Sequence, residues 1–274
     1  MTKQINVGYN GSASSSEAVG WAAAEANLRG AHLRVISCYP SHLLHGSSIE
    51  QTQGSLRAIQ MMIESSFPTL DVTTLASADP AASVLVDHMM ADDLVVVGTS
   101  DHRVADRSWL GSTARHVVRH SPCPVVAVPG PGSWGRIERV VVGIDGSPTS
   151  TRALQWAGDE ADRHGATLLV VHAWMVPYKY SNPDSSQVLD LTRVEAACLL
   201  AREVESAREQ FGADVTGRLI ECSPPAALLG VVQPGDLLVL GSTGHGAIHA
   251  TLFGSTVSSV LDRCSVPCVV VRSL

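Results

Sequence analysis

The chain has 274 residues, 45% of them apolar and 16% charged, with 19 Lys and Arg against 26 Asp and Glu for a net charge of −7. That composition is outside the disordered range, and the length admits one large domain or two ordinary ones. The acidic balance argues against nucleic-acid binding, apolar runs such as 94–97 and 237–240 fall far short of the roughly 18–20 residues that span a bilayer, and the first ten residues carry no export signal, so a soluble cytoplasmic protein is expected.

The chain opens with a short apolar strand that runs into VGYNGS. A helix follows, with Ser14 and Glu17 as a capping box and Ala18, Trp21, Ala22 and Ala26 as its apolar face. LVVV at 94–97 and VVAV at 125–128 read as buried strands, and PGPGSWG at 129–135 as a Pro/Gly linker. Beyond it come the strands RVVVGID, TLLVVHAW, VTGRLIEC, DLLVLG and PCVVVR. The first helix of this half is capped by Ser147, carries Pro148 in its first turn, presents Leu154, Ala157 and Ala161 inward and closes at Gly165. A longer helix is predicted around 186–210, with shorter ones near 226–232 and 255–263.

The two halves are copies of one pattern. At an offset of 135, Gly11 falls on Gly146, Trp21 on Trp156, Glu25 on Glu160 and Gly30 on Gly165. At an offset of 143, DLVVVGTS falls on DLLVLGST, Gly111-Ser112-Thr113 on Gly254-Ser255-Thr256, and Pro124 on Pro267. Eight extra residues therefore lie in the middle of the second copy. Short strands alternating with helices predict an α/β fold of two tandem doubly wound domains, 1–130 and 137–274 joined by 131–136, each with a five-stranded parallel sheet and helices on both faces. The apolar last strands would be exposed edges if unpaired, so the two halves are expected to pack on each other.

Such sheets bind ligands beyond the carboxyl ends of their strands. In the second copy those ends carry Asp145-Gly146-Ser147 and then GSTGHGAIHATLFGST, whose Gly241, Gly244 and Gly254 precede Ser255 and Thr256 at a helix start. Glycines allow close backbone approach, and unpaired N–H groups at a helix start attract phosphate. The two lysines, Lys3 and Lys179, follow no glycine, which excludes a Walker loop, and GIDGS after the first strand is not a dinucleotide fingerprint.

Gly241-x2-Gly244-x9-Gly254-Ser255, together with VVGIDGS, resembles the signature of ATP-binding universal stress proteins, in a tandem arrangement similar to mycobacterial and other actinobacterial members. The resemblance implies strand order 3-2-1-4-5, pairing of domains through their final strands and a homodimer. It implies an ATP site, with or without magnesium, in which Asp145 and the backbone around Ala173 hold the adenosine end. Gly241, Ser242, Gly244, His245, Gly254, Ser255 and Thr256 would then hold ribose and phosphates. The same positions in the first copy are Asn10, Cys38, Gly98, Gly111, Ser112 and Thr113.

The first copy departs from the pattern where Asn10 replaces Asp145 and Asp101 replaces Gly244. Asparagine can still hydrogen-bond a base or ribose; Asp101 brings a Cβ and a charge to a loop that must approach phosphate, with Arg103 and Arg107 near enough in sequence to offset it. His245 and His249 form no expected metal pair because Gly246 intervenes and no further ligand is near, and His42 and His45 read as loop residues. Trp21 and Trp156 read as helix packing, and the six cysteines, without a C-x-x-C, as reduced and mostly buried. No cation clamp, G-x-S-x-G elbow or metal set points to catalysis. The expected function is a nucleotide-responsive regulator or scaffold in stress adaptation, the alternatives being a weak ATPase or an interaction protein with a vestigial site and an unknown regulatory partner.

Overall fold

The computed structural model describes residues 2–39, 46–87, 89–99, 110–130, 132, 135–175, 186–244 and 254–272. The chain divides into two compact units, built mainly on residues 1–134 and 135–273. The first contains β1 (Gln4–Gly8), α1 (Ala13–Arg29), β2 (His32–Cys38), α2 (Gly46–Ser66), β3 (Val72–Ser77), α3 (Ala81–Val84), β4 (Leu94–Gly98), α4 (Ser112–His120) and β5 (Val125–Val128). The second repeats that order as β6 (Arg139–Ile144), α5 (Pro148–His164), β7 (Thr167–Trp174), α6 (Ser186–Gln210), β8 (Val215–Glu221), α7 (Pro224–Val231), β9 (Asp236–Gly241), α8 (Ser255–Leu261) and β10 (Cys268–Val271).

Strand order is β3-β2-β1-β4-β5 in the first unit and β8-β7-β6-β9-β10 in the second, the 3-2-1-4-5 order twice. β1 pairs in parallel with both β2 and β4, and β6 with both β7 and β9. The direction of strand addition therefore reverses after the third strand of each unit. Right-handed crossovers then put the first two helices on one face and the last two on the other; α3 accordingly packs against α4, and α7 against α8. The central strands are covered on both faces, which is why they read as continuous apolar runs rather than alternating ones: Val95, Val96, Leu237, Leu238 and Val239 have no exposure.

Helix ends follow local chemistry. Ser147 caps α5 by accepting from the Ser150 N–H at 3.2 Å, and Gly165 closes it at φ 60°. The first unit corrects one expectation. Ser12, not Ser14, caps α1, accepting from the Ser15 N–H at 3.2 Å. Ser14 lies two residues further on, within the first turn, and donates its hydroxyl to the carbonyl of Thr99 beyond β4, so it joins helix to sheet instead of closing the helix. The cysteines are also less uniform than expected. Cys123, Cys264 and Cys268 are buried, Cys38 and Cys222 are half-buried and Cys198 is exposed; none of the six forms a disulfide among the described residues.

At the amino ends of β6 and β9, Arg139 grips Asp236 with Nε to Oδ1 at 3.0 Å and Nη2 to Oδ2 at 2.6 Å. This fork fixes the register of the second unit's central pair at the end opposite the crevice. No helix among the described residues is long and apolar enough to cross a membrane.

Candidate functional site

The site begins with the turn that leaves the first strand of each unit. After β6, Asp145 accepts from the Ser147 N–H at 3.0 Å and from its hydroxyl at 2.6 Å, both on Oδ1. After β1, Asn10 Oδ1 accepts from the Ser12 N–H at 3.0 Å. Gly146 and Gly11 follow at φ 79° and 81°, a left-handed conformation that a Cβ disfavours. Asp145 and Asn10 thus share a turn-forming role, which brings their side chains to the same place in the two crevices.

The fourth strands end on glycines for a reason of packing. An added Cβ on Gly98 would lie 2.7 Å from the Ser14 carbonyl carbon and oxygen, and one on Gly241 would lie 3.0 Å from the backbone of Thr149. Both strands pass directly beneath the first turn of the unit's first helix. In the second unit Thr149 and Thr243 then bring their hydroxyls to 3.1 Å, and Ser242 donates its N–H to Val271 at 2.8 Å. The loop so anchored carries Gly244 over Asp145: an added Cβ there would collide with Oδ2.

Gly254 behaves differently. It precedes α8 at φ −58°, its N–H reaches the Ser242 carbonyl at 3.2 Å, and an added Cβ would meet nothing nearer than 3.5 Å. Gly111 holds the same place before α4 at φ −59°, with nothing within 4 Å of an added Cβ. Neither helix has a side-chain cap. The first and second glycines of the motif are thus explained within the protein, whereas neither conformation nor packing explains the third.

In the first unit the equivalent residues converge. Asn10, Cys38, Gly98, Gly111, Ser112 and Thr113 line one cavity of about 350 Å³ at the carboxyl ends of β1, β2 and β4. Thr99, also in its wall, is 7% exposed, and among the described residues its Oγ1 has no hydrogen-bond partner. Burial, reinforced by the negative charge of Asp79, pushes the Cys38 thiol above its ordinary value. In the second unit Ala173 lies near the end of β7 in register with Ile220, and Ser255 and Thr256 open α8. His245, Asp101, Arg103, Arg107, His42, His45 and His249 lie outside the described residues. Sequence reasoning passed over His172, whose Nδ1 is 2.8 Å from the Ile144 carbonyl, one residue before Asp145. A polar residue just before the end of a central strand was the available signal.

A family model described as the Universal stress protein family matches residues 1–129 and again 136–272. The chain belongs to the universal stress protein family. It is a tandem, two-domain member: a universal stress protein of Mycolicibacterium smegmatis is 30% identical over 285 residues, covering 98% of this chain and 96% of that protein. One of Mycobacterium tuberculosis is 30% identical over 292 residues, with 98% and 96% covered. A universal stress protein of Archaeoglobus fulgidus shares the fold, with a TM-score of 0.69 at 18% identity and 98% of each chain covered.

Proposed function

We propose that this universal stress protein is a nucleotide-responsive regulator or scaffold that binds ATP in its second domain and does no chemistry of its own. The observation that carries the reading is the meeting of Asp145 and Gly244 between β6 and β9, where strand order reverses and α/β sheets take their ligands. Gly254 supports it independently, because close approach of a phosphate to backbone is a reason for glycine that packing does not supply. In this reading Asp145 and the backbone at Ala173 receive the adenosine end. Gly241, Ser242, Gly244, His245, Gly254, Ser255 and Thr256 surround ribose and phosphates, with or without magnesium.

Bound ATP would act by population shift, favouring one surface for a protein partner. The test is to release and quantify adenine nucleotides from protein purified without added ligand, followed by direct ATP titration. About one ATP per chain is expected. ADP accumulating above a Gly254→Glu control would replace the regulator with a weak ATPase. Partner binding that survives Gly244→Asp while ATP binding is lost would make the nucleotide site vestigial.

A further inference from the structure

We propose that His116 and His120 on α4 form a two-histidine clamp for a divalent transition-metal cation of the nickel, copper and zinc group. The clamp stands apart from the nucleotide site and does not depend on it. α4 is a nine-residue helix whose inner residues, Ala114, Val117 and Val118, are buried. Its outer side carries His116 and His120, and a spacing of four brings side chains on successive turns together. Both histidines are exposed, and their ring centroids stand 4.1 Å apart with the planes inclined at 28°.

The hydrogen bond within the pair points to a cation. His120 Nδ1 is 2.9 Å from the His116 carbonyl oxygen. A carbonyl only accepts, so Nδ1 carries the proton and the lone pair of the neutral ring is on Nε2. Metal-ligating histidines are held in this way, one ring nitrogen donating to a backbone carbonyl and fixing the tautomer while the other ligates. Two histidines at i and i+4 on one helix are also the spacing that holds zinc in H-E-x-x-H sites. His120 is the last residue of α4, where the helix dipole is negative and favours a cation. Arg115 and Arg119 on the same helix oppose it, so the occupant must be a metal that imidazole holds strongly. Magnesium and calcium, which take oxygen ligands, do not meet that requirement. Among the described residues no third histidine, cysteine or carboxylate is close enough to join the pair, so water would complete the coordination.

The second domain has no such clamp. At the offset of 143 its equivalents are Ser259 and Arg263, and Arg263 Nε donates to the Ser259 carbonyl at 3.1 Å. A guanidinium there takes the carbonyl that His120 takes in the first domain, and it has no lone pair to offer a metal.

The test reads the two rings themselves, because the chain has 11 histidines and a bulk titration would sum over all of them. The full chain is treated with diethyl pyrocarbonate in increasing nickel(II) alone, and modification of His116 and His120 is mapped by mass spectrometry. Nickel(II) is expected to protect both rings over one concentration range, and magnesium(II) to protect neither. In His116→Gln or His120→Gln, protection of the remaining ring should require about tenfold more nickel(II) or beyond, since losing a ligand costs at least as much as losing the group that orients it. His120→Arg, which copies Arg263 and keeps a donor for the residue 116 carbonyl, should weaken protection of His116 as much; circular dichroism checks that each variant stays folded. No protection of either ring, protection of one ring only, equal protection by magnesium(II), or unchanged protection of the remaining ring in the single variants overturns the proposal.

Discussion

A Cβ added to Gly244 would collide with Oδ2 of Asp145, so the glycine in the loop and the carboxylate after β6 are sterically coupled. Gly244→Ala should displace one or the other and weaken ATP binding by about tenfold or more. Gly244→Asp should be worse, since it adds like charge to the clash. If the coupling is direct, Asp145→Asn lessens the additional penalty of Gly244→Asp, and a double-mutant cycle on ATP affinity measures it. The first domain has this combination in sequence, with Asn10 and Asp101 at the equivalent positions.

The motif glycines should separate into two kinds. Gly241→Ala forces a contact against Thr149 backbone at 3.0 Å and is expected to cost about 1–3 kcal/mol of stability. Gly254→Ala has room and an ordinary φ, so its thermal midpoint should stay near that of the parent while ATP affinity falls. Chemical denaturation and ATP titration of the two variants check both halves of the expectation.

Cys123 gives the fold an alkaline limit. Burial is the main cause that pushes its thiol up from 9.0 to about 11, opposed by a hydrogen bond with Ser121 and aided by the charge of Asp93. Because the folded value is raised, the stabilisation is complete below pH 9 and is lost as pH rises from 9 through about 11. The amount at stake is on the order of 3 kcal/mol. Urea unfolding across that window should show a shallower loss in Cys123→Ala than in the parent.

The thiol of Cys38 should respond to Asp79. Burial is the larger cause of its raised value and will remain in an Asp79→Asn variant, so only a modest acceleration of alkylation, on the order of twofold, is expected. Rates measured at several pH values would place the change in thiolate fraction rather than access.

The fold was legible because each strand is a compact β-branched run between turn signals, and the strands of the second half, with α6 at 186–210, match the expected segments closely. Helix starts were less so. A run of serines after Gly11 offers several caps, and only the approach of β4 makes Ser14 serve Thr99 while Ser12 closes the helix. The candidate positions were drawn from spacing, which said nothing of the contacts that surround them. Gly241 looked like part of a phosphate cradle, yet the contact it avoids is with Thr149, a neighbour that exists only once the helix crosses the strand. His172 was hidden for the same reason, since its partner is the end of the adjacent strand, 28 residues away in sequence.

The central claim is that the second domain holds ATP through the crevice where Asp145 and Gly244 meet. Its most direct test is calorimetric titration of the full chain with ATP, alongside Gly244→Asp verified as folded. Saturable binding in the parent, weakened strongly in the variant, is predicted. Absence of ATP binding in the parent, or an affinity unchanged by Gly244→Asp, would contradict it.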